Sequence, residues 1–122
     1  MKKTFYALGI FVLLLTGCNS SNRKCIENEF KGKVVIVTGG AGGIGSDCVK
    51  EFAKCGAKVA VVDFNEELGK KVIEEVKDFC GEAKLYVVNI LHSAEVNACV
   101  DQIIKDFGRI DILVNLAGGS AR

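Results

Sequence analysis

The stretch VVIVTGGAGGIG, residues 34–45, decides how this chain folds. Its β-branched beginning predicts a strand over Lys33–Thr38 that is buried on both faces. From Ile44 onward apolar residues recur at helical spacing as far as Gly56, which predicts a helix. A glycine-rich turn between a parallel strand and a helix aims backbone N–H groups and the positive end of the helix dipole at one point. The stretch therefore predicts an anion site suited to a pyrophosphate.

The rest of the chain repeats this alternation of strand and helix. A helix capped by Asn65 follows the second strand, a helix capped by Ser93 follows the third, and Gly108 ends the latter. Three further strands are predicted over Lys58–Asp63, Lys84–Val88 and Ile110–Leu116. This order predicts an α/β fold, a Rossmann-type doubly wound parallel sheet that ends after its fourth strand. The fourth strand should then be an exposed apolar edge.

Asp63 stands at the carboxyl end of the second predicted strand, about 20 residues beyond the glycine turn. A carboxylate there can accept hydrogen bonds from an adenosine ribose and repel a 2′-phosphate, so NAD is favoured over NADP. The alternative is an aspartate that only caps the next turn. Both interpretations stay open from the sequence.

Two motifs show a resemblance to a known family. Thr38-Gly39-x-x-x-Gly43-x-Gly45 resembles the T-G-x-x-x-G-x-G cofactor motif of the short-chain dehydrogenase/reductase family, and its spacing differs from the G-x-G-x-x-G of other dinucleotide binders. The run from Asn115 to Gly118 resembles that family's N-N-A-G element, with Leu116 in place of the second Asn. Phe107–Asp111 matches the usual lead-in, and the resemblance extends from Phe30 to about Gly119.

The resemblance implies a site for a nicotinamide dinucleotide. The family commonly has an Asp after the third strand that contacts adenine; Asn89 stands there, its amide oxygen can still accept from the adenine amino group, and Ile90 would flank the ring. The residues expected to bind NAD, or less favourably NADP, are Thr38, Gly39, Gly43, Ile44, Gly45, Asp63, Asn89, Ile90, Asn115, Ala117 and Gly118.

The catalytic half of the family pattern is not found in these 122 residues. The family transfers hydride between alcohols and carbonyls with a Ser, a Tyr and a Lys, the last two as Y-x-x-x-K. Neither Tyr6 nor Tyr86 is followed by that Lys, and His92 is interpreted as solvent-exposed. We therefore expect the cofactor-binding half of an oxidoreductase whose full-length form takes a small alcohol or carbonyl substrate and is usually a homo-oligomer. The alternatives are a lipid-anchored nucleotide-binding module without catalysis and a non-functional fragment.

The first residues have the composition of an export signal. Lys2 and Lys3 precede the uncharged, mostly apolar run Phe5–Gly17, which is short for a membrane span of roughly 20 residues. The run ends in Leu-Thr-Gly-Cys18, which resembles a bacterial lipobox. These features predict a signal peptide over residues 1–17, lipidation of Cys18, a polar tether over 18–29 and the nucleotide-binding domain over 30–122. The expected location is an exported, membrane-anchored lipoprotein; the alternative location is the cytoplasm, and the alternative for the apolar run is a buried or interfacial helix that happens to precede a Cys.

Charge and cysteine content bear on the partners and the compartment. The net charge of +1 without a basic stripe speaks against nucleic-acid binding. Cys48 and Cys55 fall in one predicted helix, roughly 10 Å apart at 1.5 Å per residue, whereas a disulfide needs less than about 7 Å. With one His and no C-x-x-C there is no zinc ligand set. The cysteines are thus expected to stay reduced, which conflicts with export.

Overall fold

A computed structural model describes residues 28–118 of the chain. Strands and helices alternate through this part, as the sequence predicts. The elements are β1 (Val34–Thr38), α1 (Gly43–Lys54), β2 (Lys58–Asp63), α2 (Glu66–Lys77), β3 (Glu82–Val87), α3 (Ser93–Phe107) and β4 (Ile112–Asn115). The predicted signal peptide, Cys18 and most of the tether lie outside the described residues and remain predictions.

The four strands form one parallel sheet in the order β3-β2-β1-β4. Thr38, the last residue of β1, is in register with Val62 on one side and with Asn115 on the other. The carboxyl ends of the strands therefore meet at one edge of the sheet. This arrangement confirms the predicted α/β fold of Rossmann type.

The sheet is covered on both faces. Alternate residues of β1 and β2 point to opposite sides, so Val35 and Val37 pack under α1 and α2 while Val34 and Ile36 face α3. On one face the helices contribute buried Val49, Ala53, Val72 and Val76, and on the other Cys99 and Ile103. Helices on both faces explain why β1 and β2, the two central strands with the most continuous burial, are nearly continuous apolar runs.

The strand boundaries differ from the prediction at three places. β1 starts at Val34 rather than Lys33, and β3 starts earlier, at Glu82, and ends at Val87. β4 is shorter than predicted and spans Ile112–Asn115, although the Asp111 and Leu116 N–H groups just outside it still donate to the Val34 and Thr38 carbonyls of β1. Before β4, Asp111 Oδ2 accepts the Val34 N–H at 2.9 Å. Leu113 in the middle of β4 is 61% exposed, which confirms the predicted apolar edge.

The helix caps are partly as expected. Asn65 caps α2 through its Oδ1, which accepts from the Leu68 N–H at 3.1 Å, and Gly108 ends α3 with a left-handed φ of 83°. The prediction that Ser93 caps α3 is wrong: Ser93 is the first helical residue and His92 is the N-cap. Glu95, three residues beyond His92, bonds to the turn that precedes the helix, so the turn is held without a Ser side chain.

The expectation of reduced cysteines is wrong for two of them. Cys55 and Cys80 are disulfide-bonded, whereas Cys48 and buried Cys99 are free. Spacing along one helix tested only whether Cys48 could reach Cys55. Cys55 follows the end of α1 and Cys80 lies beyond the end of α2, two helices that pack on the same face of the sheet. Spacing within one helix carries no information on a bond from Cys55 or Cys80 to a cysteine outside that helix.

Across residues 28–118, no helix is both long enough and apolar enough to cross a membrane.

A hydrogen-bonded cluster ties the outer strand β3 to α3. Asp106 Oδ2 accepts from the Lys84 ammonium and from the Tyr86 hydroxyl, both at 2.6 Å, and its Oδ1 accepts from Gln102 at 2.9 Å. These bonds, that from Lys84 first, lower the pKa of Asp106 from 3.8 to about 2. Tyr86 itself is buried. The cluster thus holds α3 against an edge strand that has a neighbour on only one side.

Tyr86→Phe should lower the free energy of unfolding by about 1–2 kcal/mol at pH 7, because the ring stays buried while a hydrogen bond to a charged group is lost. The depressed pKa of Asp106 stabilises the fold above pH 4, so the advantage of the wild type should shrink as the pH falls towards 2. Urea unfolding followed by circular dichroism measures both effects. Glu74→Gln, in an exposed pair with Lys77, is the control and should change stability by less than about 0.5 kcal/mol. Equal free energies of unfolding at pH 7 for Tyr86→Phe and the wild type would contradict the prediction.

Candidate functional site

The carboxyl edge of the sheet brings the predicted site residues together. Thr38 ends β1, Asp63 ends β2 and Asn115 ends β4, while Asn89 and Ile90 follow β3. The glycine turn lies between β1 and α1 at the same edge, and Ala117 and Gly118 follow β4 there. In open parallel sheets this edge is where ligands bind.

The glycine turn presents backbone N–H groups at the start of α1. α1 begins at Gly43, so the N–H groups of its first turn have no carbonyl partner within the helix. No acidic side chain occupies that turn, which leaves the positive end of the helix dipole uncompensated. A Cβ on Gly43 would meet no atom within 4 Å, and Ile44 is 74% exposed. The backbone here is therefore open to a phosphate-sized anion.

Two glycines allow backbone segments to approach closely. A Cβ on Gly45 would overlap the carbonyl oxygen of Gly39, so α1 could not begin this close to the end of β1. Gly39 has φ 69°, and a Cβ there would lie 3.0 Å from the backbone nitrogen of Ala117. Gly39 and Gly45 thus pack the helix, the turn and the segment after β4 against one another, whereas Gly43 faces open space.

The Thr38 side chain joins the ends of β1 and β4. Its hydroxyl donates to Asn115 Oδ1 at 2.6 Å and accepts from the N–H groups of Leu116 and Ala117 at 3.1 and 3.2 Å. All the hydrogen-bonding capacity of one hydroxyl is used for this contact. Thr38 and Asn115 therefore fix the ends of β1 and β4 relative to each other at this edge of the sheet. Leu116 takes part only through its backbone N–H group.

Asp63 holds the glycine turn as well as its own turn. Its Oδ2 accepts from the Ala41 N–H at 3.0 Å, and its Oδ1 accepts from the Asn65 N–H at 2.9 Å. The turn-capping role left open by the sequence is thus present. Because each carboxylate oxygen has more than one lone pair, Asp63 can still accept a bond from a ribose hydroxyl.

Asn89 and Ile90 stand beside a cleft between α3 and the sheet. Asn89 Oδ1 accepts from the Leu91 N–H at 3.0 Å and retains a lone pair. Ile90, which is 42% exposed, lines a cavity of about 480 Å³ together with Thr38, Asn115, Ile36 and Leu113. The cavity combines an apolar wall with a polar rim at the strand ends, as small-molecule sites commonly do.

Two features of this edge are absent from the sequence interpretation. Phe64, directly after Asp63, places a large aromatic side chain at this edge with 77% of its surface exposed. Glu95 bonds to both Asn89 and His92; a Glu three residues after a helix N-cap is a known sequence signal that could have pointed to it. His92 is exposed, as interpreted, but it is paired.

Tyr86 has no acid–base role at this edge. It is buried beneath α3, where burial first and the bond to Asp106 second raise the pKa of its phenol far above the ordinary 10. Burial likewise raises the pKa of the Cys99 thiol, which lines the cavity. Neither group is therefore primed for proton transfer or nucleophilic attack.

These features are those of a Rossmann-type α/β fold, with an open helix N-terminus at the carboxyl edge of its sheet. The family model "short chain dehydrogenase" matches residues 33–122. The chain belongs to this family of oxidoreductases, which confirms the resemblance found in the two motifs.

The proteins that are similar to the chain include one solved with NAD and one solved with NADP. It is 45% identical over 90 residues to an uncharacterised oxidoreductase of Thermotoga maritima, covering 74% of this chain and 35% of that protein. An oxidoreductase from Haemophilus influenza solved with bound NAD aligns with a TM-score of 0.73 at 36% identity, covering 79% of this chain and 34% of its own. A metagenomic short-chain oxidoreductase in complex with NADP aligns with a TM-score of 0.72 at 31% identity, covering 74% and 41%. The chain thus spans about a third of the length of the curated relatives it matches.

Gly45→Ala and Gly43→Ala should behave differently in the free chain. Gly45→Ala should lower the free energy of unfolding by about 3 kcal/mol, because the new methyl group meets backbone that cannot move aside. Gly43→Ala should leave stability unchanged or slightly raised, because its methyl group has open space in a helical position. Thermal unfolding of the two variants and the wild type measures the difference. Similar stability of both variants would show that the approach of Gly45 to Gly39 is not constrained.

Proposed function

We propose that this chain is the cofactor-binding part of an NAD-dependent short-chain oxidoreductase that transfers hydride between an alcohol and a carbonyl. The observation that carries the proposal is the placement of a helix N-terminus with no acidic side chain in its first turn beside the Asp63 carboxylate, at the carboxyl edge of one parallel sheet. Family membership supports it, since a nicotinamide dinucleotide is the family's cofactor. When bound, that cofactor accepts or gives the hydride.

Each part of the cofactor has a fitting group at this edge. The open N–H groups around Gly43 and Ile44 would hold the pyrophosphate, and Asp63 would accept from the adenosine ribose. Asn89 and Ile90 would contact adenine. Thr38, Gly39, Gly45, Asn115, Ala117 and Gly118 would form the base of the site.

The charge of Asp63 favours NAD over NADP. A 2′-phosphate would lie against a carboxylate that is already fixed by two backbone N–H groups and so cannot swing away without losing them. Repulsion between two unit charges at 4 Å is about 1 kcal/mol in water and about 4 kcal/mol near a protein surface. The expected preference is therefore about tenfold or more.

The reaction itself requires groups beyond this cofactor edge. By resemblance to the family, these groups are a Ser, a Tyr and a Lys. We expect them in a longer polypeptide, of the length of the family's other members. We propose that the full-length form takes a small alcohol or carbonyl substrate and assembles as a homo-oligomer, and that the 122-residue chain alone binds cofactor without turnover.

Fluorescence titration of the purified chain tests cofactor binding. NADH should bind saturably and about tenfold more tightly than NADPH, and Asp63→Asn should reduce that ratio because it removes the charge. Asp78→Asn, an exposed carboxylate at the far end of α2, is the control and should leave the ratio unchanged. A folded chain, by circular dichroism, that binds neither nucleotide would refute the proposed function. Equal affinities would refute only the preference for NAD.

We further propose that the chain is exported and lipid-anchored through Cys18. The disulfide bonding of Cys55 and Cys80 supports this proposal, because such bonds persist in oxidising compartments outside the cytoplasm. Reduced cysteines at these two positions would have argued against export. The competing location is the cytoplasm.

Metabolic labelling with a radioactive fatty acid in a bacterial host tests the anchor. Cys18→Ala should abolish labelling of the chain, since the thiol that carries the lipid is removed. Cys25→Ala, a nearby cysteine outside the lipobox, should be labelled as strongly as the wild type. Unchanged labelling of Cys18→Ala would refute the anchor.

A further inference from the structure

Glu95, in the first turn of α3, is bonded to the turn that connects β3 to α3. Its Oε2 accepts from the Asn89 N–H at 3.0 Å, and its Oε1 lies 2.7 Å from His92 Nδ1. Because an ionised carboxylate only accepts, the hydrogen of this second bond belongs to His92. One side chain thus joins the beginning and the end of the turn.

The turn is otherwise closed by Asn89. The Asn89 carbonyl accepts from the His92 N–H at 3.1 Å, and its side-chain oxygen accepts from the Leu91 N–H at 3.0 Å. The Asn89 N–H ties the beginning of the turn to α3, and Glu95 is its acceptor. The position of Asn89 relative to the helix therefore depends on this carboxylate.

We propose that Glu95 is a positioning residue for adenine recognition, acting through Asn89. This inference rests on the proposed function, in which the free lone pair of Asn89 Oδ1 accepts from the adenine amino group. Glu95 does not contact the cofactor. It keeps the turn, and with it the side chains of Asn89 and Ile90, in place before the nucleotide arrives.

Only a carboxylate satisfies both partners at once. Two donors converge on it from different sides, and each oxygen takes one. The bond from His92 first and that from Asn89 second lower the pKa of Glu95, so it stays ionised and acceptor-only at neutral pH. A glutamine offers one acceptor oxygen and one donor, so it could preserve one of the two contacts.

The test compares NADH with its hypoxanthine analogue, which lacks the adenine amino group. Glu95→Ala should weaken the binding of NADH about tenfold, the equivalent of one lost hydrogen bond. It should weaken the binding of the analogue less than about threefold. Glu95→Gln should fall between Glu95→Ala and the wild type, and it replaces Glu95→Ala if that variant does not fold. Asn89→Ala should remove the difference between the ligands, and adding Glu95→Ala should then have no further effect. Glu74→Ala on the outer surface of α2 is the matched control and should bind both ligands as the wild type does.

Two results would overturn the inference while the proposed function stands. If Glu95→Ala weakens the binding of both ligands equally, the role of Glu95 is structural and not directed at adenine. If the wild type binds NADH and Glu95→Ala binds it equally well, the carboxylate does not position the turn. A wild-type chain that is folded but binds no NADH would overturn the proposed function, and this inference with it.

Discussion

The close approach of Gly45 to Gly39 is the constraint on which the site depends. With a side chain at position 45 the first turn of α1 would meet the backbone of the glycine turn, and the helix could not begin beside the end of β1. Its N–H groups would then point elsewhere. The same turn packs through Gly39 against the backbone of Ala117. The segments that follow β1 and β4 are therefore held in place by one close contact between their backbones.

Side chains at the strand ends add hydrogen bonds to this backbone contact. Thr38 bonds to the segment after β4, and Asp63 bonds to the glycine turn from the end of β2. Asp63 therefore holds the glycine turn in shape and is also the carboxylate proposed to distinguish NAD from NADP. A substitution of Asp63 changes both the turn and the charge, so a ratio of two affinities, and not one affinity alone, reports on the charge.

Much of the architecture could be predicted from local sequence. The β-branched runs, the glycine turn, Asn65 at the start of α2 and Gly108 at the end of α3 each act within a few residues, and the structure confirms them. Two predictions are wrong for different reasons. The turn before α3 is held by Glu95 and not capped by Ser93, although Glu95 lies within six residues of its partners and is a local signal. The disulfide bonding of Cys55 and Cys80 is not visible in the spacing of cysteines along one helix.

The sequence by itself determined the order of strands and helices, the glycine turn, the family and the set of residues that reach one edge. Those features follow from periodicity and from backbone preferences that operate over a few residues. Only the tertiary structure decided that the carboxylate of Asp63 accepts from the Ala41 N–H, 22 positions away, and the hydroxyl of Thr38 from the Ala117 N–H, 79 positions away. Such pairings arise from strand register and the packing of turns, and no local pattern encodes them.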